Sequence, residues 1–122
     1  MCLSFDTSPE IVCSLGNAKY QLREILFDER EMTITYKGQV KQCSKQPYKL
    51  LCAFIHAKDH FLSNDRITEI CCWNLDDIGL ESKRKTALSQ LRGLLESDNS
   101  RVNIVRMRNE KDEVGFVLLV TK

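Results

Sequence analysis

The side chains with the most directional polar chemistry gather between residues 82 and 92: Ser82, Lys83, Arg84, Lys85, Thr86, Ser89 and Arg92. Hydroxyls and ammonium groups together serve both donor and acceptor edges, and long cations reach anionic oxygens. Threaded among them are Leu80, Ala87, Leu88, Leu91, Leu94 and Leu95, which recur at helical spacing from about Glu81 to Glu96. A helix advancing about 100° per residue would bury those leucines and turn Ser82, Lys85, Thr86 and Ser89 to the opposite face. Lys83 and Arg92 fall on its flanks, and Arg84 projects onto the apolar stripe, where its guanidinium has to reach outward. Read alone, a Lys-Arg-Lys run is more readily a solvated helix face than a contact surface.

The other reactive side chains form no comparable group. Cys2, Cys13, Cys43, Cys52, Cys71 and Cys72 include no C-x-x-C pair, and only His56 and His60 could join them. A closed zinc site wants four convergent ligands in closely spaced pairs, so no metal is expected and the thiols read as small buried hydrophobes. The vicinal Cys71 and Cys72 leave a redox switch open as an alternative. Neither histidine lies in a motif beside a nucleophile, and no Gly-rich phosphate loop is present, so no catalytic residue, cofactor or small-molecule substrate is expected.

The elements that must carry the basic helix are legible along the chain. With 43% apolar and 29% charged residues in 122, the composition is that of one soluble globular domain, residues 1–122. The formal net charge of +1 announces no polyanion by itself. No segment approaches the ~20 apolar residues of a bilayer span, and the first twenty lack a signal-peptide pattern, so a cytoplasmic location is expected. Residues 1–18 suggest an arm or edge strand. The segments YQLREILF, MTITY and QVKQC, with Lys37-Gly38 as a tight turn, predict an antiparallel β-meander over 20–43. Ser44 as a cap and Pro47 in the first turn open a helix ending near Ala57, with Leu50, Leu51, Phe54 and Ile55 on one face. A loop over Lys58 to Leu62 leads to Ser63, the cap of a second helix, NDRITEICCW, so that residues 44–96 hold three helices. After the polar stop SDNS, VNIVRMR and VGFVLLV around the charged turn NEKDE predict a hairpin over 101–121. The expected core is Leu22, Phe27, Ile34, Leu51, Phe54, Ile55, Ile67, Ile70, Leu88, Leu91, Val105, Phe116 and Leu118, with Trp73 packed under the third helix.

This order and these residues resemble the winged-helix DNA-binding domains of the OmpR and PhoB type, nearest to the N-terminal domains of ToxR- and CadC-like transcriptional regulators, over about Tyr20 to Val120. The first helix matches with Ser44, Tyr48, Leu50 and Leu51, and the second with Leu62 and Ser63, while Trp73 stands one residue late for the tryptophan at its end. Leu88, Leu91, Arg92 and Leu95 match the end of the recognition helix, and Gly115, Phe116 and Leu118 match the hairpin. Two departures stand out: Pro47 replaces an early acidic residue, and NEKDE replaces a basic, Gly-containing wing tip. The resemblance implies an α+β, winged helix-turn-helix fold with an N-terminal β-meander, three helices and a C-terminal hairpin wing. It implies a sequence-specific regulator that lays helix 81–96 in the major groove of double-stranded DNA, as a homodimer on adjacent half-sites, with RNA polymerase or another regulator as a protein partner. Ser82, Lys85, Thr86 and Ser89 would face base edges, with Lys83 and Arg92 on phosphates. Arg106 and Arg108, alternating outward on the wing's first strand with Lys111 nearby, would clamp the backbone, or else form an ordinary polar strand face. Relatives of this kind continue into a linker, a membrane helix and a periplasmic sensor, so a membrane enters only through segments outside this sequence. The alternative is a winged-helix module that binds protein, has lost DNA binding, and senses redox state through its cysteines.

Overall fold

The computed structural model describes residues 13–74, 78–96 and 102–120. An edge strand, β1 (Cys13–Gly16), opens the described chain; the rest of the expected N-terminal arm, residues 1–12, lies outside the described residues. The next segment, YQLREILF, was expected as one strand and is two. Leu22 has the opposite parity to Ile25 and Phe27, so a continuous strand would send them to opposite faces. Instead the chain turns at Arg23, and β2 (Lys19–Leu22) pairs with β3 (Ile25–Asp28) with Leu22 opposite Ile25. Arg23 takes a φ of 60°, a left-handed conformation costing about 1–2 kcal/mol. Leu22, Ile25 and Phe27 are all fully buried in return, each worth about 1.5–3 kcal/mol.

The sheet continues through β4 (Thr33–Tyr36) and β5 (Gln39–Gln42), joined as expected by Lys37 and Gly38 at φ values of 51° and 78°. Helix α1 (Lys45–His56) follows, with Pro47, Leu50, Leu51, Phe54 and Ile55 buried; Ser44 occupies the cap position but its hydroxyl makes no capping bond. A single turn at Lys58–His60 leads into β6 (Phe61–Ser63). Ser63 then caps α2 (Asn64–Ile70), its Oγ accepting from the Arg66 N–H at 3.1 Å. This helix stops three residues before Trp73, with Cys72 at a φ of 61°. Helix α3 (Leu80–Leu95) starts from Gly79, and β7 (Val102–Arg108) and β8 (Val114–Val120) close the chain. The expected stop SDNS at 97–100 and residues 75–77, 101 and 121 lie outside the described residues.

The class is α+β, but the expected arrangement is overturned. The N-terminal sheet has five antiparallel strands in the order β1-β2-β3-β4-β5 rather than a three-strand meander. The C-terminal hairpin is not a freestanding wing. It belongs to a second, three-stranded sheet in the order β6-β8-β7, whose extra strand comes from the segment expected as a loop. Residues 71–79 separate α2 from α3, more than the ~3–4-residue turn of a helix-turn-helix. The winged helix-turn-helix assignment is therefore set aside.

One continuous apolar cluster joins both sheets and all three helices, including Phe27, Ile34, Leu51, Phe54, Ile67, Leu88, Leu91, Leu95, Ile104 and Leu118. Val105 was expected inside and is 36% exposed, because Val102 and Ile104 take the inward positions of β7. Ile70 and Phe116 are half-buried at the cluster's edge. No helix among the described residues is long and apolar enough to cross a membrane.

Candidate functional site

Burial of Ala87, Leu88, Leu91 and Leu95 against the core fixes the rotation of α3. Opposite them Ser82, Lys85, Thr86 and Ser89 are all exposed. Three hydroxyls and an ammonium group thus lie along one uncovered helix face, the arrangement expected from the leucine spacing. Its N-terminal cap is Gly79 in the left-handed region, φ 80°, with Glu81 in the first turn, an acidic residue favourable against the helix dipole.

The flanks differ from each other. On one, the Lys83 ammonium stands 5.9 Å from the centre of the half-buried Trp73 ring, so the tryptophan packs beside the helix's first half. On the other, Arg92 donates from Nε (2.9 Å) and Nη2 (2.7 Å) to the carbonyl oxygen of Ile104. Its guanidinium straps α3 to β7, a structural role that sequence reasoning did not foresee. Arg84, expected on the apolar stripe, donates from Nη1 to Thr68 Oγ1 at 3.3 Å, and Thr68 donates in turn to the Asn64 carbonyl at 3.0 Å.

Arg106 and Arg108 do alternate together and are exposed, but they follow Val102 and Ile104 along the face of β7 that looks toward α3. Arg106 pairs across the ladder with Phe116, and Arg108 with Val114. The Arg108 guanidinium is engaged by Asp112 at 3.1 Å, and Lys111 sits exposed in the turn. Between α3, the start of α2 and β7 lies a cleft of about 280 Å³. It brings Arg106 together with Lys85, Arg84 and Arg92, over a floor of Leu88 and Phe116. Asn64 and Glu81 complete its wall, and the Asn64 side-chain oxygen is buried without a hydrogen-bond partner. Sequence reading missed Asn64 and Glu81 because neither carried a cation or a motif.

The remaining reactive groups among the described residues assemble no second site. Burial pushes the Cys43 and Cys52 thiols up to about 11, leaving them protonated and weakly nucleophilic near neutrality. Cys71 is raised by burial as well, while its neighbour Cys72 is exposed. His56 Nε2 lies 2.9 Å from Glu29 Oε2 and 3.4 Å from Tyr20 Oη, pinning the end of α1 to the first sheet. No group of three or more His, Cys, Asp or Glu among the described residues is placed to hold a metal ion. No family model matches the chain, and no curated protein matches it.

Proposed function

We propose that this chain is a sequence-specific double-stranded DNA-binding regulator that inserts α3 into the major groove, two copies occupying half-sites about one helical turn apart. The motif likeness to ToxR- and CadC-like regulators prompted the reading, and the observation that carries it is the uncovered face of Ser82, Lys85, Thr86 and Ser89. An α-helix fits the major groove, and mixed hydroxyl and ammonium donors suit its base edges. Lys83 on the flank reaches for the phosphate backbone.

Selection of bound duplexes from a random pool, followed by binding of variants to the selected site, tests it. Lys85→Ala and Thr86→Ala should each alter base preference, worth about 1–3 kcal/mol at the affected pair, whereas Lys83→Ala should weaken all sequences and flatten the salt slope by about one. Unchanged binding in all three variants sinks the assignment. A second reading, a module that docks on a polymerase subunit or another regulator instead of DNA, is favoured by the outer face of the second sheet. There Val105, Met107 and Leu119 are 36%, 44% and 37% exposed on neighbouring strands. Failure to retard any duplex at low salt, with loss of partner capture in Met107→Asp, selects it.

A further inference from the structure

We infer that the cleft between α3 and β7 is a binding site for a small nucleotide-class ligand, a phosphate carried on a flat ring with an amino group. The site is separate from the exposed hydroxyl face, although Lys85 borders both.

Four cations converge on the cleft against a single carboxylate, Glu81. Two of them are oriented by neutral acceptors: Arg92 by the Ile104 carbonyl and Arg84 by the Thr68 hydroxyl. Held by a neutral hydroxyl, the Arg84 guanidinium keeps its full charge and retains further N–H groups for an anion. Lys85 and Arg106 make no ion pair among the described residues. Such an excess of fixed positive charge favours a phosphate, and forked guanidinium donors match its oxygens.

The rest of the cleft is built for something larger than an ion. Its volume of about 280 Å³ is on the scale of a small ligand pocket. Leu88 and Phe116 supply an apolar floor on which a ring can lie. Beside that floor is one acceptor with nothing to accept from, the buried, unpartnered Asn64 Oδ1, and the exposed Glu81 carboxylate stands on the same wall. A buried acceptor left unmade costs about 1–3 kcal/mol, and an amino group on the ring removes that cost. Cations, floor and acceptors together describe one ligand, a nucleoside monophosphate.

The test is calorimetric titration of the whole chain with AMP, adenosine and inorganic phosphate. AMP should bind at least about tenfold more tightly than either fragment, and Arg106→Ala, an exposed position, should weaken it by about tenfold. Asn64→Ala, which removes the acceptor without adding charge, should weaken AMP while leaving phosphate unchanged, and Lys45→Ala, an exposed cation elsewhere, should change nothing. Phosphate binding as tightly as AMP overturns the inference. So does absence of AMP binding at millimolar concentration together with weaker duplex retardation by Arg106→Ala, which assigns the cleft to a backbone phosphate of DNA. Absence of both effects overturns it too. Failure of the DNA reading leaves the AMP titration intact, so the two proposals fall separately.

Discussion

Arg92 shows how one residue can satisfy a sequence motif and yet serve a different purpose. Its spacing from Leu88, Leu91 and Leu95 marked it as a phosphate ligand, because periodicity locates a side chain on a helix flank but says nothing of the element packed against that flank. Here the element is β7, and the Ile104 carbonyl takes two N–H donors from the guanidinium. Hydrogen bonds to a charged group contribute about 1.5–3 kcal/mol, so Arg92→Ala should lower stability by that order in urea unfolding. Arg92→Lys keeps the charge without the fork and should recover less than half of it. An unchanged urea midpoint in Arg92→Ala, with weaker duplex binding, would show instead that the charge acts on a ligand. Ser82, Lys85, Thr86 and Ser89 were readable because exposure opposite a leucine stripe follows from geometry alone. Asn64 and Glu81 were not, since their placement depends on how α2 and α3 meet across a long connection.

At the scale of elements, strong local patterns were legible and weak pairings were not. The leucines of α3, the apolar face of α1 and the Lys37-Gly38 turn all declare themselves within a few residues. The hairpin at Arg23 carries no glycine or asparagine, and only the parity change from Leu22 to Ile25 signals it. The strand β6 is three residues long, too short for an alternation to register, and it exists because β8 offers it an edge. Gly115 makes that approach possible. A Cβ there would run into the Leu62 carbonyl oxygen and stand 2.6 Å from the Ser63 Cα and 2.8 Å from the Phe61 ring. Backbone cannot step aside as a side-chain tip can, so Gly115→Ala should cost about 1–3 kcal/mol and strip hydrogen-exchange protection from residues 61–63. The same change at Gly93, helical, exposed and with nothing within 4 Å, should stabilise by about 0.5–1 kcal/mol. A Gly115→Ala protein within ~0.5 kcal/mol of the parent would mean that β6 does not depend on this close approach.

Over the whole molecule, a net charge of +1 conceals a segregated distribution. Arg84, Lys85, Arg92 and Arg106 share one cleft, while the β7–β8 turn carries Glu110, Asp112 and Glu113. That turn is well held: the Asn109 side-chain oxygen accepts from the backbone N–H groups of Lys111 and Glu113, at 3.0 and 2.9 Å. Of its acids, Glu113 accepts from the Asn109 amide at 3.0 Å, and the exposed Arg108–Asp112 pair contributes at most about 1 kcal/mol. Under the proposed DNA reading, acids so placed would repel phosphates and hold the hairpin tip off the duplex. Replacing Glu110 and Glu113 by Gln and Asp112 by Asn removes three negative charges and releases Arg108. If the DNA reading holds, duplex affinity at low salt should rise, and the slope of log K against log salt should steepen by about 0.9 for each phosphate gained. Stability in urea should move by less than about 0.5 kcal/mol. Affinity and slope both unchanged would place the turn away from the duplex and leave α3 with its flanking Lys83 as the whole contact.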